Sequence, residues 1–189
     1  MPGGLVCGPH GCREPRGALW GSMEPLVDCV IEDARWDAVG LDGLADRAVR
    51  AALADLGLSC DGLTLCLMAC DDARIATLNA EFRGKPVATN VLSWPAWDLS
   101  AEGEGDVPDL PEQGSVEEPE SLGDIALAYD TCLREAAEAA KDVRDHVTHL
   151  VVHGTLHLLG YDHVREGDAV RMESTETRIL ATLGISDPY

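Results

Sequence analysis

Five of the six histidines fall within 18 residues, His146, His149, His153, His157 and His163, in the run HVTHLVVHGTLHLLGYDH. On a helix, residues four apart share one face about 6 Å apart, so His153 and His157 can each turn a ring nitrogen to one metal ion at ~2.1 Å. Gly160 is free to turn the chain sharply, and His163 then returns with a third nitrogen. Three imidazoles leave the fourth position of a tetrahedral ion open. That is the arrangement of a catalytic zinc, which brings the pKa of its bound water to about 7. The donor set predicts one Zn²⁺ per chain on His153, His157 and His163, because imidazoles suit borderline-soft ions better than Mg²⁺ or Ca²⁺. His146 and His149 lie a turn or more before this set. They read as core or surface histidines, with support of a ligand or contact with substrate as the other reading. Asp162 is either an acceptor for a ligand's ring or part of the turn.

The metzincin proteases share this spacing, H-E-x-x-H-x-x-G-x-x-H, and use the glutamate as general base. Here that position is Gly154, which cannot accept a proton, so peptide hydrolysis by that route is not supported. A metalloprotease remains an alternative on spacing alone.

The elements that carry these residues are legible from periodicity. Leu26 to Asp33 reads as a strand, 42–56 as an amphipathic helix stopped at Gly57, and Leu63 to Cys70 as a buried strand with Cys60, Cys66 and Cys70 as core fillers. Asp71 or Asp72 can cap a short helix whose Ile75, Leu78 and Phe82 share one face. A loop, 83–88, leads to a strand over 89–94 that Pro95 ends, and 122–129 is a fourth strand. From Asp130 to Leu159 the period is helical but too long for one globular helix, so a break is expected near Asp142–Asp145. A last helix over 167–183 should bury Met172, Ile179 and Leu183. The order predicts an α/β (α+β) fold: a small mixed four-stranded sheet packed with helices, and a metzincin-like zinc helix in the C-terminal third.

With 189 residues, 46% apolar and 25% charged, the chain is sized for one globular core and lacks the ~20-residue apolar stretch that spans a bilayer. Seven cysteines, an odd number, and no basic-then-apolar opening predict a cytoplasmic protein rather than a secreted disulfide scaffold. A net charge of −20 argues against a generally basic nucleic-acid clamp while leaving room for a local site. Residues 98–120 hold nine acids and no Lys or Arg, and read as a mobile, solvated loop dispensable for folding. Residues 1–22 read as a disordered extension. There Cys7, His10 and Cys12 are close enough to share a metal but lack a fourth ligand and a folded turn. The remainder divides into a single catalytic zinc domain, 23–184, and a tail, 185–189.

Three stretches, HGTLHLLGYDH (153–163), FRGKPVATNVLSWP (82–95) and LGDIALA (122–128), resemble the YbeY family of bacterial endoribonucleases, the rRNA maturation factors. With VIEDARW (30–36) and RMESTETRILATLG (171–184), the resemblance runs from about Met23 to Gly184. Pro86 stands where the family usually has Asp, Trp94 replaces Phe, and the acidic insertion is long, so no acid–base role is assigned to the 83–88 loop. The resemblance implies a zinc-dependent, single-strand-specific endoribonuclease. Its implied task is 16S rRNA 3′-end maturation and ribosome quality control in the cytoplasm, with the ribosome or ribosomal proteins as partners and no membrane. Carried over residue by residue, it implies His153, His157 and His163 as metal ligands, Arg83 as the catalytic cation on the scissile phosphate, and Lys85 as an RNA contact. Attack by water and attack by the RNA 2′-hydroxyl both remain open. A non-catalytic, zinc-containing ribosome-assembly factor is the second alternative.

Overall fold

The computed structural model describes residues 25–189. The extension 1–22, with Cys7, His10 and Cys12, lies outside the described residues. Strand β1 (Val27–Ile31) leads through a 3₁₀ turn (Ala34–Ala38) to α1 (Leu41–Asp55), β2 (Leu63–Cys70), α2 (Asp72–Arg83), β3 (Val91–Pro95) and β4 (Glu120–Ala128), then to α3 (Tyr129–Glu138), α4 (Val143–Leu158) and α5 (Glu166–Thr182). The sheet order is β1-β2-β4-β3, with β1, β2 and β4 parallel and β3 antiparallel to β4. A mixed four-stranded sheet packed with helices is therefore what the alternation of periods produces.

Alternation along the strands sends side chains to two faces. Leu63, Leu65, Leu67 and Ala69 of β2, with Ile125 and Leu127 of β4, meet the main core formed with α1, α4 and α5. On the other face Cys70, Leu92, Ala126 and Ala128 pack with Ile75 and Leu78 of α2. Helix α4 is the hub, touching α1, α3, α5, β3 and β4, and its Val147, Val151, Val152 and Leu156 are wholly buried. Gly154 lets it close on the sheet, since a Cβ there would lie 3.0 Å from Ile125 Cδ1.

The long helical stretch breaks as expected, a few residues earlier than anticipated. Helix α3 ends at Glu138, Ala140 adopts φ 51°, and Asp142 caps α4 by accepting the Arg144 N–H at 2.8 Å. Phe82 departs from expectation: it is 40% exposed and packs on Trp94 of the edge strand β3, ring centroids 5.1 Å apart, where the face shared with Ile75 and Leu78 has run past the core. Among the three cysteines read as fillers, Cys70 is fully buried, whereas Cys60 and Cys66 are half-buried.

The acidic loop carries no helix or strand between β3 and β4, yet it is docked rather than loose. The Arg165 guanidinium donates to the carbonyls of Ala101 and Glu102, each at 3.2 Å, and Arg171 Nε donates to the Gly105 carbonyl at 2.6 Å. At the start of α5 the Gly167 N–H donates to Glu104 Oε1 at 2.9 Å, while Asp168 accepts the Gly105 N–H at 2.7 Å. Carboxylates and carbonyls of the loop thus serve as acceptors for α5, a form of attachment that leaves no apolar period to read. The tail 185–189 also folds back, with the Ile185 N–H donating to the Leu180 carbonyl at 3.0 Å and Lys141 Nζ to that of Pro188 at 3.4 Å.

Candidate metal centre

Helix α4 carries His149, His153 and His157 one helical turn apart, and its apolar sides fix which way they face. After its last turn Gly160 takes φ 83°, a left-handed turn that also leaves room for Leu99 of the docked loop. A Cβ at Gly160 would lie 2.6 Å from the Leu99 carbonyl. The chain then reverses, Asp162 Oδ1 accepts the backbone N–H of His163 at 2.7 Å, and the His163 ring returns to the end of the helix. Asp162 is therefore a turn former.

The three rings meet. Ring centroids are 4.6 Å apart for His153 and His157, 5.0 Å for His157 and His163 and 5.5 Å for His153 and His163. One nitrogen from each lies within 4.8 Å of the others, so these residues can hold a metal ion. The hydrogen bonds behind the rings fix their tautomers. His157 Nδ1 lies 2.9 Å from the Tyr161 carbonyl, which can only accept, so the proton sits on Nδ1. His153 Nδ1 faces Glu176 Oε2 at 3.4 Å, again an acceptor. Both Nε2 atoms are then left with lone pairs, and they stand 3.1 Å apart. Two lone pairs at that distance repel unless a cation lies between them, so the donor set fits a metal. Burial, helped by the neighbouring His153 and His163, holds His157 down to about 4, which keeps the ring neutral and able to ligate at neutral pH.

Glu176 is the functional residue that sequence reasoning missed. It is fully buried on α5, among Met172, Thr175, Ile179 and Leu180. Burial alone would raise its pKa, but its contacts with His149 and His153 outweigh it, and the carboxyl sits at about 2. The signal was present: an acid at a core position of an apolar stripe. His149, read as a bystander, has Nε2 at 2.7 Å from Glu176 Oε1. His146 turns away from the cluster, with Nε2 at 3.2 Å from Glu135 Oε2.

Arg83 and Lys85 are not brought to the histidines. Helix α2 packs on the sheet face opposite α4, and neither cation makes a hydrogen bond or ion pair with the histidines among the described residues. Each is exposed, and neither side chain is held by a hydrogen bond or ion pair among the described residues. Gly154 faces Ile125 of the sheet, so the position of the protease general base points away from the cluster.

Comparison with known proteins places this site in a family. Relatives named endoribonuclease YbeY include one from Cereibacter sphaeroides, 60% identical over 167 residues that cover 88% of this chain and all of that protein. Another, from Dinoroseobacter shibae, is 57% identical over 86% of this chain and 90% of its own length. A third, from Nitrobacter winogradskyi, is 40% identical over 98% of this chain and 95% of its own. The solution structure of the Thermotoga maritima protein TM1509 aligns over 86% of this chain and 97% of its own at TM-score 0.48 and 18% identity. The model of the family described as endoribonuclease YbeY matches residues 30–184, a span that holds the three-histidine cluster, Glu176 and the Arg83 loop alike. By that match and by relatives more than half identical over nearly their whole lengths, the chain belongs to the endoribonuclease YbeY family.

Proposed function

We propose that this protein is a zinc-dependent endoribonuclease that cuts single-stranded RNA, acting in the cytoplasm in 16S rRNA 3′-end maturation with the ribosome or its proteins as partners. The observation that carries the reading is the convergence of His153, His157 and His163 with both α4 Nε2 lone pairs unprotonated, in a chain whose relatives are named endoribonucleases. Family membership supports RNA as the substrate. Among the described residues no helix is long and apolar enough to cross a membrane.

Zinc held by the three imidazoles supplies a Lewis acid that offsets negative charge on a phosphodiester oxygen. The chain's own groups do the rest. The Tyr161 carbonyl and Glu176 orient the His157 and His153 rings by holding their Nδ1 protons. Arg83 is assigned to the scissile phosphate, because a guanidinium stays charged and can grip two phosphate oxygens at once. Its freedom from any side-chain partner among the described residues leaves it available for that task, and Lys85 beside it for a neighbouring phosphate.

The test compares cleavage of a single-stranded RNA, the same RNA in a duplex, and casein by one zinc-loaded preparation. Cleavage of the single strand alone is expected. Casein hydrolysis would revive the protease, and binding of RNA without turnover would favour the assembly factor.

A further inference from the structure

We propose that Glu176 is the positioning residue of the metal centre, and that His149 and Tyr189 hold its carboxylate, making the segment after α5 part of the site. The inference rests on the reading of His153, His157 and His163 as a metal site. A carboxylate with no exposed surface, on a helix face otherwise lined by Met172, Ile179 and Leu180, is costly unless donors surround it. Two donors reach its Oε2, and the His149 ring lies against Oε1, which has no hydrogen-bond partner among the described residues. His153 Nδ1 lies 3.4 Å from Oε2, the Tyr189 hydroxyl donates to the same oxygen at 2.5 Å, and His149 Nε2 lies 2.7 Å from Oε1.

Each contact has a consequence for the ring that would bind metal. The carboxylate can only accept, so it keeps the proton of His153 on Nδ1 and leaves Nε2 aimed at the point where His157 Nε2 also points. It also makes that imidazole a better donor. His149, one turn before His153 on α4, stands 2.7 Å from the other carboxylate oxygen as an ion-pair neighbour. The Tyr189 ring stands edge-on to that of His149, centroids 6.2 Å apart. The segment 185–189 is returned to α5 by the Ile185 N–H on the Leu180 carbonyl and by Thr177 Oγ1 on Asp187 Oδ1 at 3.3 Å. Tyr189 is 62% exposed, and the hydroxyl bond to Glu176 with the edge-on contact to the His149 ring gives this residue its place.

His149, His153 and Glu176 also each offer a ligand atom within 4.8 Å of the others, close enough to hold an ion through His153 Nδ1 and a carboxylate oxygen. That would require His153 to surrender its Nδ1 proton while the Tyr189 hydroxyl already occupies Oε2. The positioning role needs neither change.

The test is zinc affinity, measured by competition with a chromophoric chelator, together with ¹⁵N spectra of the histidine rings in the metal-free protein. Parent, Glu176→Gln and Tyr189→Phe are compared. We expect one zinc per chain throughout, Glu176→Gln binding it roughly 10- to 100-fold more weakly and Tyr189→Phe a smaller but measurable amount more weakly. The His153 Nδ1 signal should move in Glu176→Gln from the protonated tautomer toward a mixture, a change that a purely structural loss would not produce selectively. Should Glu176→Gln fail to fold, Tyr189→Phe decides, since it removes one oxygen and keeps the ring. Parent affinity in the folded variants overturns the inference, as do two zinc ions in the parent with one lost in Glu176→Gln, which would mean a second metal site. A parent that binds no zinc overturns the metal reading itself, and the tautomer spectra then judge Glu176 alone.

Discussion

At the scale of single residues the site separates groups fixed by their neighbours from groups left free. Arg83 belongs to the second kind: exposed, at the end of α2, with no bond to another side chain among the described residues. Truncating it should leave fold and metal untouched. We expect Arg83→Ala to cleave single-stranded RNA at least ~100-fold more slowly with its zinc retained, the scale of losing one strong transition-state contact. Arg83→Lys should recover part of the rate. Parent-rate cleavage by Arg83→Ala would return the residue to the solvated surface. Gly154 belongs to the first kind. Because a Cβ there meets Ile125 Cδ1 at 3.0 Å, Gly154→Ala should cost about 1–3 kcal/mol of overpacking in a urea titration, and Ile125→Val should recover much of it in the double variant. Equal midpoints for parent and Gly154→Ala would show that α4 and the sheet can part without strain.

At the scale of elements, the acidic loop is the part whose role changes most between sequence and structure. Arg165, just before α5, and Arg171 within it find their acceptors in its backbone, and Leu99 fills the space above Gly160 where the ligand-bearing turn reverses. Arg171→Ala should therefore lower stability by about 1–3 kcal/mol, and excising 98–118 should lower it further and loosen the turn before His163. Unchanged thermal unfolding of the deletion would mean that these bonds hold the loop without supporting the domain. The contrast explains what was legible. His153, His157 and His163 could be read because an i, i+4 pair and a glycine turn are local geometry, and the strands and α1 because one face of each is apolar. Glu176 reaches His153 across the α4–α5 packing, 23 residues away, so no spacing rule links them. The loop's attachments run mostly to peptide carbonyls, which every residue has. The resemblance gave Arg83 its role, but a role carries no coordinates, and the sheet lies between its helix and the histidines.

At the scale of the whole molecule, buried thiols link stability to pH. Burial, then nearby acids, pushes Cys29, Cys70 and Cys132 up to about 12 from an ordinary 9.0, with Asp42, Glu32 and Glu135 as the leading acidic neighbours in turn. The folded chain therefore keeps these protons when the unfolded chain has lost them. Stability contributed by the neutral thiols is complete below pH 9 and declines between pH 9 and 12. Urea midpoints at pH 8 and pH 10 should show the fall, and Cys132→Ala should flatten it; the same slope in that variant would assign the fall to other groups.

The chain carries a net charge of −20 while its family acts on RNA, so under the proposed reading a metal held by the three histidines would carry much of the attraction for phosphate. Cleavage of a single-stranded RNA by protein stripped of metal and then restored with one equivalent of zinc tests this most directly. We predict no cleavage in the stripped protein, full return with zinc, and no return when His157 is replaced by alanine. Cleavage that persists undiminished after the metal has been removed would contradict the account.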